Sequence, residues 1–171
     1  SISERNLQFK CETQSKVFTR KGNAANLSFI KDENIDFICT HPPYADIIKY
    51  SKGIEGDVSL LSKDEFISEM RKVAEECYRV LKKGKMCAIM IGDIRKHGKV
   101  VPLGFEVMQC FLNAGFTNKE IIIKEQHNCR STEFYVTKDG LKAPAKIKGK
   151  KYGAVYIVIL FIYKYNIRHS I

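Results

Sequence analysis

The sequence predicts an α/β fold around a mostly parallel sheet, and three observations carry that prediction. Two wholly apolar runs, Phe37-Ile38-Cys39 and Met86 to Ile91, have the composition of strands covered on both faces. Between and after them lie two stretches whose apolar residues recur at helical spacing. Further β-branched runs close the chain, so strand, helix, strand, helix, strand follow one another with connections that suit parallel crossovers. The last two strands are expected to form an antiparallel edge. With 171 residues, 44% of them hydrophobic, the chain has the size of a single domain.

Residues 1 to 10 read as the tail of a helix, and Ser15 to Thr19 as a short strand ending at the turn signal Lys21-Gly22-Asn23. Asn34 to Thr40 is the first core strand. Pro42 and Pro43 stop it, since neither can donate to a ladder. A loop with corners at Gly53 and Gly56 then runs to Ser62. Ser62 and Glu65 form a capping box, and Phe66, Met70, Val73, Ala74, Cys77, Val80 and Leu81 follow on one helical face, with Gly84 as the expected stop. Met86 to Ile91 is the next strand and ends at Gly92-Asp93. Pro102 suits the first turn of a helix that carries Val107, Met108, Phe111 and Leu112 up to Gly115. Ile121 to Lys124 and Ala154 to Tyr163 complete the strands.

Composition narrows the function classes. Lys and Arg outnumber Asp and Glu by 29 to 19, a net charge of +10 that favours a polyanionic partner such as nucleic acid. Six cysteines are scattered without a C-x-x-C pair, which suits a reducing cytoplasm and argues against a zinc site. His127 and Cys129 lie two apart without further ligands near them, so no metal is expected. No signal peptide opens the chain, and AVYIVILFIYKY is too short and β-branched for a membrane helix. A cytoplasmic protein without membrane contact is the expectation.

The chemistry concentrates at THPPY, residues 40 to 44, beyond the carboxyl end of a strand where α/β sheets bind ligands. Two prolines fix the backbone and can hold a carbonyl and the His41 side chain in set directions, which suits an amine donor. Tyr44 offers a flat face for a planar base, a contact worth about 1 to 3 kcal/mol in single-strand binding. The plainer reading is a tight turn with a surface tyrosine, His41 merely capping the strand.

THPPY, with DENIDFICTHPPYADIIKYS, GDVSLLS, RVLKKGKMCAIMIGD, VPLGFEVMQCFLNAGF and KEIIIKEQHN around it, resembles the S-adenosylmethionine-dependent amino-methyltransferases that modify adenine N6 or cytosine N4 in DNA. The resemblance runs over roughly residues 4 to 130 and implies a Rossmann-like methyltransferase sheet. It implies a bacterial-style modification enzyme of the restriction-modification kind. His41 would accept from the flipped-out base amine, Pro42 would present its carbonyl, Pro43 would stiffen the corner, and Tyr44 would stack. His41 departs from the family's usual Asp, Asn or Ser. A neutral imidazole has one acceptor nitrogen and loses it on protonation, so activity is expected to fall below about pH 6. A similar corner serves base-amine methylation in RNA, and a non-catalytic nucleic-acid-binding remnant is a reading from another class.

The resemblance also implies S-adenosylmethionine as cofactor, with Asn23 and Ala24 near its adenine and Thr40 beside it. Asn23 stands where the family has Asp. The glycine-rich turn that should hold most of the cofactor is not found in the sequence, and residues 131 to 171 do not supply it either. The expectation is therefore an incomplete catalytic domain: a piece of a longer protein, one half of a pair with a glycine-rich chain, or a remnant. In the family's strand order that missing half neighbours Asn34 to Thr40, so this edge should be covered by a complementary chain or by a second copy.

Asp93 and Arg95 follow the second apolar strand on the same rim, as substrate contacts or as ordinary loop charges. Asp57 in GDVS reads as a turn aspartate, with ordering of the loop over the site as the alternative. Residues 138 to 151 hold six lysines against one aspartate, a basic loop that can follow phosphates or simply lie in solvent.

Overall fold

Two parallel crossovers build the centre of the chain, as a computed structural model that describes residues 16–45, 49–96, 99–126, 134–136, 142–144, 146–147, 150–151 and 155–164. In order they give β1 (Ile35–Thr40), a 3-10 turn (Val58–Leu60), α1 (Lys63–Val80), β2 (Leu81–Gly92), β3 (Ile94–Lys96), β4 (Lys99–Val101), α2 (Leu103–Asn113), β5 (Phe116–Gln126), β6 (Phe134–Val136), β7 (Lys142–Pro144), β8 (Lys146–Ile147), β9 (Lys150–Lys151) and β10 (Val155–Lys164). The main sheet runs β1-β2-β10-β5. β1 and β2 pair in parallel, while β10 is antiparallel to both β2 and β5. Three of the four strands thus point one way, in a Rossmann-like α/β arrangement with antiparallel pairing towards one edge. The C-terminal strand slots between β2 and β5, which leaves β5 on the outside.

Both crossovers advance in the same direction across the sheet, so right-handedness puts α1 and α2 on the same face. One core unites Phe66, Met70, Ala74 and Cys77 of α1 with Leu103, Val107 and Phe111 of α2 and with Cys87, Ile89, Ile91, Leu160 and Ile162 of the sheet. On the opposite face Met86, Met90, Ile159 and Phe161 are only partly buried, and no helix of the described residues covers them. β1 was expected to be buried on both faces; instead Phe37 is 52% exposed and Cys39 is exposed. The reason is its place at the edge of the described sheet.

α1 starts as its capping box dictates: Ser62 Oγ accepts from the Glu65 backbone, and Glu65 returns a bond to the Ser62 backbone at 2.9 Å. It ends before Gly84, however, because Leu81 is already extended and fully buried as the first residue of β2. Gly84, at φ +74°, serves the irregular stretch where β1–β2 pairing slips between Ile35 and Phe37. Pro102 stands just ahead of α2 as its N-cap.

Residues 16–20 form no strand, and Asn23 and Asn26 make one isolated bridge there. The Arg79 guanidinium binds this segment to α1 through the carbonyls of Leu27 and Ile30 at 3.0 and 2.9 Å and Asp32 at 2.6 Å. Glu76 pairs with Arg79 at 2.8 Å and also accepts from the Leu27 backbone at 2.5 Å. At the other end of the sheet Lys164 is buried, its ammonium bonded to the carbonyls of Tyr78 and Leu81, both at 3.0 Å, and to Glu33 at 3.1 Å. The basic stretch expected as a loop contains the short strands β7, β8 and β9. The expected helix at residues 1 to 10 and the His127–Cys129 pair lie outside the described residues.

Candidate active site

The rim formed by the carboxyl ends of β1 and β2 gathers the principal candidates. Thr40 pairs with Ile89, so β2 projects beyond β1 and its end at Gly92 stands level with the THPPY corner. Ala45, just past the corner, is buried and ties it to the core. Tyr44 is drawn inward with it and lies across Gly92: a β-carbon there would stand 3.1 Å from Tyr44 Oη and 3.2 Å from Cζ. Only a glycine leaves that space without displacing the ring. Burial pushes the Tyr44 phenol up, opposed by a hydrogen bond from the Gly92 backbone, and neighbouring Tyr50 adds to the rise.

His41 is exposed, and its Nε2 lies 3.0 Å from Tyr44 Oη, the two rings meeting edge to face with centroids 5.6 Å apart. One of the two ring nitrogens of His41, either of which can be the acceptor according to tautomer, is therefore engaged with the phenol of the same corner. Pro42 and Pro43 between them are partly buried.

Asp93, next along β2, turns towards α2, where its Oδ1 accepts from the Gly104 backbone at 3.0 Å. That bond serves an orphan donor of a helix whose own N-cap, Pro102, makes no side-chain cap. Arg95 sits in β3 opposite Val100 of β4.

Asn23 stands elsewhere. Its side-chain oxygen accepts from the Ala25 backbone at 2.9 Å, and the residue lines a cleft of about 580 Å³ with Gly56, Asp57, Leu61, Glu65 and Glu69. Ala24 is exposed on the same turn. None of His41 to Tyr44 lines this cleft. The structure thus brings His41, Pro42, Pro43 and Tyr44 together with Gly92, and places Asn23 in a cleft that they do not line.

The loop after the corner is ordered by its own side chains. Asp57 Oδ1 accepts from the Ser59 backbone at 2.9 Å and the Ser59 hydroxyl at 2.6 Å, while Ser59 Oγ accepts from the Tyr50 backbone at 3.0 Å. Ser51 and Ser59 hold the Asp57 carboxyl below the usual range. Its Oδ2 nonetheless has no hydrogen-bond partner at bonding distance, so the Ser51 contact acts at longer range. Asp57 is a turn aspartate that orients the Ser59 hydroxyl, and Ser59 fastens Tyr50. Sequence reasoning missed Gly92 and Ser59, whose signals were only a glycine at a strand end and a serine two residues after an aspartate. Among the described residues no group of His, Cys, Asp and Glu could hold a metal, and no helix is long and apolar enough to cross a membrane.

Residues 35–166 match the family model described as DNA methylase of the N6/N4 type. The chain belongs to this family. Among solved structures, a Thermus thermophilus protein proposed to be a DNA modification methylase is 22% identical over 88% of this chain and 55% of its own, at a TM-score of 0.56. The same protein has been solved complexed with S-adenosyl-L-methionine. PvuII DNA methyltransferase, cytosine-N4-specific, is 18% identical over 83% of this chain and 47% of its own, also at 0.56. An S-adenosylmethionine-dependent methyltransferase from Methanosarcina mazei is 14% identical over 96% and 77%, at 0.52. At these identities the likenesses establish the fold, and the chain spans about half the length of the first two proteins. No curated protein matches the chain by sequence.

Proposed function

We propose that the chain is the base-binding part of an S-adenosylmethionine-dependent DNA methyltransferase acting on an exocyclic base amine, adenine N6 or cytosine N4. The observation that carries this reading is the His41–Tyr44 corner, seated on Gly92 at the carboxyl ends of two parallel strands in a chain of the DNA methylase family. An aromatic amine is a poor nucleophile because its lone pair is delocalised into the ring. Acceptors on its N–H groups favour the pyramidal nitrogen that attacks a methyl group, and His41 Nε2 with the Pro42 carbonyl are the candidates. For the base to enter, His41 must exchange the Tyr44 hydroxyl for the amine, which frees the Tyr44 ring to stack.

The described residues do not by themselves make a holder for the cofactor. Asn23 already spends its side-chain oxygen on Ala25, and the acidic cleft beside it is separate from the corner. S-adenosylmethionine would supply the methyl group once the fold is completed by a glycine-rich segment, from the same polypeptide or a complementary chain. The half-exposed β1 edge and Phe37 suit docking of that segment or of a second copy. The excess positive charge suits DNA as substrate, in a cytoplasmic protein whose four-stranded main sheet forms the centre of one domain.

A second reading, nucleic-acid binding without methyl transfer, is favoured by the closed state of the corner, with Tyr44 Oη held by His41 above Gly92. Methylation of DNA with labelled cofactor separates the two, using the chain alone and joined to an upstream glycine-rich half. Activity in the joined protein that falls with H41A and Y44A is the expected result. Salt-sensitive DNA binding with no methyl transfer in either form would support the second reading. Calorimetry should find S-adenosylmethionine bound only by the joined protein.

A further inference from the structure

β5 is an outer strand of the main sheet, bonded to β10 with one slip of register at Lys119, and no strand of the described residues pairs with its other side. Every second residue along that side presents an unpaired N–H and C=O. At its middle stand three consecutive isoleucines, Ile121, Ile122 and Ile123, exposed by 37%, 41% and 60%. Charges flank them in the order Lys119-Glu120 before and Lys124-Glu125 after.

That order is its own antiparallel complement. Turned about a two-fold axis at Ile122, a second copy sets Ile122 against Ile122 and Ile121 against Ile123. Glu120 then falls opposite Lys124, while Lys119 stands at the slip in the β5–β10 register and is left out of the match. Symmetry makes every charge pair occur twice, and opposed residues share a face. The face that carries Ile122 thus has an isoleucine centre bounded by two Glu120–Lys124 pairs.

The alternatives are disfavoured by the same residues. A slip of one residue sets Glu120 against Ile123 or against Glu125, and parallel in-register pairing sets like on like throughout. Among the described residues Glu120 and Lys124 form no ion pair that such a contact would have to break.

We infer that β5 is a self-association edge, at which two copies of this chain pair antiparallel about Ile122 into one continuous sheet. The surface is remote from β1, at the other side of the sheet, and does not depend on the methyltransferase reading. Because the joined strands are antiparallel, the two THPPY rims face opposite ends of the assembly. Each copy keeps its own site.

Sedimentation equilibrium of the chain over a range of concentration tests this, with variants at the exposed charges. The wild type should dimerise. E120K and K124E each replace two attractive pairs with two repulsive ones and should weaken the dimer about tenfold. The double variant E120K/K124E restores every pair in reversed order and should return the dimer to about wild-type strength. A wild type that stays monomeric would overturn the inference and leave the lysines as guards of a bare edge. So would a dimer indifferent to both reversals, and its loss in F37E would move the contact to β1.

Discussion

Replacing Lys164 with methionine tests how the C-terminal strand is fastened to the helical layer. The residue is 5% exposed, and its three bonds at 3.0 to 3.1 Å reach two carbonyls at the end of α1 and one carboxylate. Glu33 keeps 43% of its side chain in water and is readily rehydrated, so the carbonyls bear the loss. Hydrogen bonds to a charged group are worth about 1.5 to 3 kcal/mol each, a gross loss of about 3 to 6 for two. Methionine has similar length and avoids the several kcal/mol that burying an ammonium costs, which offsets a large part. The net expectation is a loss of about 2 kcal/mol, or about 4 to 8 °C in Tm for a chain of this size. Urea unfolding followed by far-UV circular dichroism reads it directly. E33Q should cost much less, because the carbonyl bonds survive. A K164M midpoint equal to wild type, or an E33Q loss as large as that of K164M, would refute the assignment of the strength to the carbonyls.

Two other outcomes can be stated. The Arg79 guanidinium, with the Leu27 N–H and against the effect of burial, holds Glu76 down from 4.5 to about 2. For an acid depressed in the folded state the contribution is complete above the ordinary value and is lost as pH falls from about 4.5 through about 2, so E76Q should be less stable than wild type at neutral pH, and its unfolding free energy in urea should fall less steeply over that window. At the candidate site, G92A forces Tyr44 to yield and should cost about 1 to 2 kcal/mol in urea unfolding, whereas adding Y44A to G92A should remove most of the penalty of the alanine.

Much of the scaffold was legible because its signals are local. Ser62 and Glu65 announce the start of α1 three residues apart, and the apolar face from Phe66 to Val80 sets its inward side. The prolines after Thr40 mark the rim for the same reason. What the sequence hid is set by contacts between distant residues. Lys164, at the end of an apolar run, reads as a solvated charge, yet its acceptors lie at Tyr78 and Leu81. Asp93 reads as a rim charge, and its bond to the Gly104 backbone could not be foreseen. The length of β2 and the slip opposite Gly84 depend on pairing with β1, which no periodicity in β2 reveals. Asn23 lies within a short distance of THPPY in sequence, but the turn that bonds it to Ala25 and Asn26 faces the 54–61 loop.

The place of β10 between β2 and β5 bears on the order in which the molecule can assemble. During synthesis β2 and β5 both leave the ribosome before the strand that separates them, so neither can take up its final neighbour on that side. Until then the apolar flanks of both remain open to chaperones or to wrong partners. Maturation of the rim at Gly92, which pairs with Ile157, is therefore a late event governed by the arrival of the last strand.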